Sequence, residues 1–201
     1  MPFYMVLEMR KQKILIIESR SDVDIYDDRN EGNTLKKILA LQGVHTKNFE
    51  IVNRGMLTKA LKVAQRGHMK YVHISAHGTD KGIILTDEEF ITWRDFDQIA
   101  WPILRDKCIC FSSCSVGTGV TELFRYHKSF CNAIIAPTRD ITWSEGLVAY
   151  SAFYHRAQFF EKSSGQDVRV MNHIVGAGTF KLIQSPYRAS TYTFDGLFKK
   201  I

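Results

Sequence analysis

Apolar and polar positions alternate in short blocks along this chain. Lys13-Ile14-Leu15-Ile16-Ile17-Glu18 is a continuous, β-branched apolar run, the pattern of a strand buried on both faces of a parallel sheet. Residues 19–33 are rich in Asp, Arg, Asn and Gly and predict a loop. Asn33 or Thr34 can cap a helix to about Gln42, with Leu35, Ile38 and Leu39 on one face and Gly43 as its stop. Phe49-Glu50-Ile51-Val52 predicts a second strand. Leu57, Ala60, Leu61 and Ala64 then recur at helical spacing between Met56 and Gln65, and Gly67 ends that helix.

Two further apolar runs follow, Tyr71 to Gly78 and Lys107 to Ser115. Between them, Ile83-Ile84-Leu85 and Phe90-Ile91-Thr92-Trp93 flank a polar turn and predict a hairpin. Trp93 to about Leu104 predicts a helix that Pro102 distorts. Val120 to His127 predicts a helix, Asn132 to Pro137 a buried strand, Leu147 to about Glu161 an aromatic-rich helix, Gln166 to about Ile174 another helix, and Thr179 to Ile183 a last strand. The order β-α-β-α-β at the start predicts an α/β fold with a mostly parallel sheet and helices on its faces. One domain spanning 1–201 is expected, with its core at about 13–183 and a tail at 184–201 carrying two phenylalanines and Lys199-Lys200.

The two middle runs carry the chemistry. One ends in His77-Gly78 and the other in Ser112-Ser113-Cys114-Ser115, so histidine and cysteine stand 37 residues apart. Reactive groups gather at the carboxyl ends of strands in such sheets. Consecutive strands are commonly neighbours, ~4.8 Å apart. If these two pair in parallel, imidazole and thiol emerge at one edge, as a cysteine nucleophile and its base require. The Gly78 and Cys114 amides are the natural donors to an oxyanion. From the residues alone, a structural histidine and an inert thiol remain the commoner reading.

Composition narrows the alternatives. The chain has 27 basic and 21 acidic residues, a formal net charge of +6. It has no Lys/Arg block, stacking-aromatic motif or helix-turn-helix pattern, so nucleic acid is not indicated. Three of the four cysteines (Cys108, Cys110 and Cys114, with Cys131 apart) crowd one predicted strand without a C-x-x-C pair. That argues against a disulfide framework and a zinc site, and for a reducing cytoplasm. The apolar run at Met1–Glu8 is too short for a signal peptide, and no stretch approaches a membrane span. Asp22, Asp24, Asp27 and Asp28 have the chemistry for a hard cation, but no calcium-loop glycine and glutamate stand at the required offsets, so a solvated loop is favoured and no metal or cofactor is expected. His73 reads as a sheet residue. His127, His155 and His173 fall on predicted helices without a nameable partner.

Ile74-Ser75-Ala76-His77-Gly78 and Phe111-Ser112-Ser113-Cys114-Ser115-Val116-Gly117 together resemble the paired motifs of caspase-like (clan CD) cysteine peptidases, with CHAT domains the nearest subgroup. Ile134-Ile135-Ala136-Pro137, Trp143, Leu147, Ala149 and Phe153-Tyr154 extend the likeness. The resemblance implies a caspase-like three-layer sandwich with a hairpin after the third strand. It implies peptide hydrolysis through a thioester, with Cys114 as nucleophile and His77 as acid and base. Relatives that cleave after basic residues often carry an aspartate two positions before the nucleophile. Ser112 stands there, leaving Asp80 or Asp140 to supply acidity to a pocket that Trp143 would also wall. The hairpin and the segment from Pro137 to Glu145 are the expected groove walls, although a helix-start role for Trp143 and Glu145 outweighs a place in the cleft. The family further implies a protein substrate, a separate regulatory or sensor protein, and service in bacterial defence or cell death. An inactive caspase-like adaptor is the alternative. A flavodoxin- or receiver-like protein fits less well, because Ser19-Arg20-Ser21 is a poor phosphate loop and the third strand ends in His77-Gly78 rather than an acid.

Overall fold

The computed structural model describes residues 12–159 and 164–187. The expected features at Met1–Glu8, at Glu161 and over Tyr192–Ile201 lie outside the described residues. The strands are β1 (Ile14–Ser19), β2 (Thr46–Glu50), β3 (Tyr71–Thr79), β4 (Gly82–Ile84), β5 (Phe90–Thr92), β6 (Cys108–Ser112), β7 (Ala133–Pro137) and β8 (Phe180–Gln184). The helices are α1 (Asp22–Tyr26), α2 (Glu31–Leu41), α3 (Arg54–Arg66), α4 (Trp93–Ala100), α5 (Glu122–Tyr126), α6 (Trp143–Phe159) and α7 (Ser164–Val175), with a 3-10 turn at Val116–Thr118.

The main sheet runs β2-β1-β3-β6-β7-β8. Its first five strands are parallel, and β8 joins antiparallel. The end of β3 also pairs with β4, which pairs with β5, giving the expected hairpin.

Alternation along the strands divides the core in two. Leu15, Ile17, Val72, Ile74, Ile109 and Phe111 face α3, α4 and α5. Ile14, Ile16, Tyr71, Cys108, Cys110 and Ile135 face α2, α6 and α7. Each fully buried aliphatic or aromatic side chain stabilises the fold by roughly 1.5–3 kcal/mol relative to an exposed one. This double coverage explains why the central strands read as unbroken apolar runs.

Three expectations need correction. Residues 19–33 hold α1 and the start of α2, because Ser21 and Asp24 close a capping box and Asn30, not Asn33 or Thr34, caps α2. The second strand is Thr46–Glu50 rather than 49–52. It is the outer strand, so its polar Thr46, Lys47 and Asn48 need no burial. The helix from Trp93 stops at Ala100, ahead of Trp101-Pro102, since the residue before a proline disfavours helical backbone.

Candidate active site

The pairing of β3 with β6 sets the geometry. Tyr71 stands opposite Cys108 and Ser75 opposite Ser112, a constant offset of 37 residues. His77 and Cys114 stand at the same offset in the sequence, with His77 still inside β3 and Cys114 two residues past the end of β6. His77 falls on the parity of the α2, α6 and α7 face, as do His73, Ser75, Cys110 and Ser112.

Cys114 lies past the end of β6, where the chain turns sharply. Ser115 takes a left-handed conformation at φ 57°, and its N–H donates to the Arg139 carbonyl at 3.0 Å. Such backbone is strained for a residue with a Cβ, and it holds the thiol at the strand's exit. Gly78 lets the two strand ends approach. A Cβ there would meet Val116 Cγ2 at 2.8 Å, Ser113 Cβ at 3.0 Å and the Cys114 carbonyl at 3.3 Å.

His77 and Cys114 line one cleft of about 50 Å³. Ala76 joins His77 from β3, Ser112 at the end of β6 and Ser113 just past it flank Cys114, and Ile141, Thr142 and Trp143 form the opposite wall. The Cys114 thiol donates to the Ile141 carbonyl at 3.5 Å. Of the tentative pocket residues, Ser112 and Trp143 line this cleft. Asp80 and Asp140 do not: the Asp80 carbonyl accepts from Trp93 Nε1 at 2.7 Å, and Asp140 accepts from Ser115 Oγ at 2.8 Å. Beyond His77, a second cavity of about 410 Å³ runs between α1 and the hairpin. Val23, Ile84 and Leu85 line it, with acidic Asp22 and Glu88.

The residue that sequence reasoning missed is Asp24. It was grouped with three other aspartates in a solvated loop, yet its side chain is 2% exposed and its Oδ2 lies 2.6 Å from His77 Nε2. The same carboxylate accepts from the Ser21 hydroxyl at 2.5 Å and the Ser21 N–H at 3.2 Å. It also accepts from Trp143 Nε1 at 3.1 Å and Arg29 Nη1 at 3.3 Å. Burial alone would raise its pKa. The hydrogen bonds from Ser21 and His77, with the attraction of His77, overcome that and hold it at about 2. Ionised, Asp24 only accepts, so Nε2 of a neutral His77 carries the proton and Nδ1 keeps the lone pair. His77 itself is 44% exposed at its side chain, and Trp143 packs edge-on to it at 5.9 Å.

The wall opposite the strands is anchored. Thr142 N–H donates to Glu145 at 2.8 Å, and Glu145 N–H donates back to Thr142 Oγ1 at 3.2 Å. Glu145 pairs with Arg139 at 2.7 Å, and the Arg139 hydrogen bond, foremost, holds its carboxyl at about 2. Glu145 thus braces the first turn of α6, and Trp143, the first residue of that helix, also lines the cleft.

Other cysteines and histidines sit differently. Cys110 and Cys131 are buried, and burial pushes both thiols up, which makes them poor nucleophiles. His73 is fully buried beneath the site, with Nδ1 3.2 Å from Tyr154 Oη and Nε2 3.5 Å from Glu31. His127 does have a partner, Asp97 at 2.8 Å, and stacks on Trp101.

No family model and no curated protein matches this chain. Among solved structures, it is similar to the complex of Porphyromonas gingivalis RgpB pro- and mature domains, with a TM-score of 0.52 at 13% identity. The likeness covers 87% of this chain and 47% of that one, so the chain spans about half the length of that relative. At such identity the likeness shows the fold alone: a mixed α/β arrangement with a mostly parallel sheet between helices. It does not reach the CHAT subgroup. Among the described residues, no helix is long and apolar enough to cross a membrane.

Proposed function

We propose that this chain is a cysteine endopeptidase. The observation that carries the reading is the shared cleft: His77 and Cys114 line it together, and the ionised Asp24 bonds to His77 Nε2.

In this reading the Cys114 thiol gives its proton to Nδ1 of His77, and the sulfur adds to a peptide carbonyl. The oxyanion is met by the amides of Gly78 and Cys114. The C–N bond then breaks as His77 returns the proton to the departing amine. The acyl group stays on Cys114 as a thioester. Water, deprotonated by His77, attacks that thioester and regenerates the thiol, releasing a carboxylic acid. Asp24 keeps the imidazole in the right tautomer and balances its charge when protonated. It acts through His77 and is a positioning residue.

The 410 Å³ cavity beside His77 offers room for chain on the far side of the scissile bond. The thiol must leave the Ile141 carbonyl before it can attack. That rearrangement is where a separate regulatory protein would act, in keeping with the bacterial defence role that the resemblance to caspase-like peptidases implies.

The test is to incubate a lysate or proteins encoded nearby with the wild-type chain and map new N-termini. Discrete new termini that vanish with Cys114→Ala and with His77→Ala, both folded by circular dichroism, support the reading. Termini that persist in Cys114→Ala overturn it.

A further inference from the structure

We infer that the cleft beside Cys114 selects a small, uncharged residue, alanine, serine or glycine, on the acyl side of the scissile bond. This rests on the peptidase reading of the same site.

The side chain next to the attacked carbonyl must enter the space adjoining the nucleophile. That space is about 50 Å³, enough for about three waters at one probe sphere each. A methyl or hydroxymethyl group fits it. An arginine, lysine or leucine side chain does not, unless a wall moves.

The walls are held in place. Trp143 is tied to Asp24 through its indole N–H. Ile141 and Thr142 sit in the turn that Arg139 and Glu145 brace. The floor cannot drop at Ser112, because Gly146 of α6 packs directly on it and even a Cβ at Gly146 would collide with Ser112 Oγ.

The chemistry of the lining agrees. Apart from His77 and Cys114 themselves, no lining side chain is ionisable, so a charged substrate side chain would enter with no fixed charge to pair with, at a large desolvation cost. Ser113 supplies an independent sign of a ligand. It is 2% exposed, lines the cleft, and its hydroxyl has no hydrogen-bond partner among the described residues. Buried hydroxyls are normally satisfied, and a small polar residue such as serine would satisfy this one.

Peptidyl acyloxymethyl ketones that differ only in the residue beside the ketone provide the probe. The Cys114 sulfur displaces the acyloxy carboxylate and forms a thioether, so labelling is read as a mass increment without needing a natural substrate. Alanine and serine probes are expected to label Cys114 at least about tenfold faster than leucine, arginine or aspartate probes, the discrimination typical of a tight apolar pocket. Ile141→Ala, or Ile141→Val if the first does not fold, should narrow the gap for leucine. Labelling led by leucine, arginine or aspartate, or labelling indifferent to that residue, overturns the inference and leaves the peptidase reading standing. No labelling of Cys114 by any probe overturns both.

Discussion

Strand β3 carries two histidines four residues apart on the same face, each beside a carboxylate from the segment after β1. His73 meets Glu31 at 3.5 Å with both side chains fully buried, and the facing atoms of the pair make no hydrogen bond among the described residues. His77 meets Asp24 at 2.6 Å, with the carboxylate buried and the ring 44% exposed. The first pair is packed among Tyr150, Tyr154 and Ser75, where nothing can be delivered to it. The second has one nitrogen held by its carboxylate, and its ring lines an open cleft with Cys114. A histidine–carboxylate contact is therefore no mark of function by itself. What separates the two is which ring atom stays accessible and what reactive group shares the space.

The strongest way to break this comparison is to remove each ring in turn. His77→Ala should lower peptide hydrolysis by about 10²–10⁴-fold, the range for loss of a general acid–base, with little change in the urea midpoint, because Asp24 keeps its donors from Ser21, Trp143 and Arg29. His73→Leu should do the reverse. It should cost about 3 kcal/mol in urea unfolding, as removal of one buried partner does, while turnover stays within about tenfold of wild type. Equal losses of activity from both would erase the distinction.

Asp24→Asn is the next largest effect. It should lower turnover on the order of 10²-fold through the misplaced proton on His77, with KM nearly unchanged. Its stability effect has a defined pH window. The Asp24 pKa falls from 3.8 to about 2 on folding. A depressed carboxyl stabilises the fold fully above its unfolded value and loses that contribution as pH falls through its folded value. Wild type should therefore lose about 2 kcal/mol between roughly pH 4 and pH 2, and Asp24→Asn should lack that share of the slope in acid denaturation.

Trp143→Phe sharpens the comparison with the smallest change. It removes the indole N–H from Asp24 but keeps an aromatic edge on His77, so turnover should fall only a few-fold, by about 1 kcal/mol for one neutral donor. A loss as large as that of Asp24→Asn would mean that Trp143, rather than Asp24, orients the ring.

Much of this was readable before the fold. The apolar runs at Ile14, Tyr71 and Cys108 could only be strands covered on both faces, and the 37-residue spacing of His77 and Cys114 is the register of β3 on β6. Asp24 was hidden because its neighbours Asp22, Asp27 and Asp28 make the stretch look like solvated loop. Two signals could have exposed it. Ser21 followed three residues later by Asp24 is the spacing of a capping box. A parallel sheet that sets β1 beside β3 must also place the segment after Ser19 next to His77, since Ser19 pairs with Ala76. Ser112, Trp143 and the wall within 137–145 were expected from the motif likeness rather than from periodicity, because segments 112–114 and 141–143 meet only in the fold. The second strand was misplaced because an outer strand can be polar, so periodicity carries little signal there.

The central claim is that Cys114 takes the acyl group of the substrate. A peptide ester ending in alanine on its acyl side, mixed with the chain and quenched in acid, tests it directly by peptide mapping of the mass increment. The account predicts an acyl increment on the Cys114 peptide, absent from the peptides of Cys108, Cys110 and Cys131. Hydrolysis of the ester with the increment elsewhere, or undiminished hydrolysis by Cys114→Ala, would contradict it.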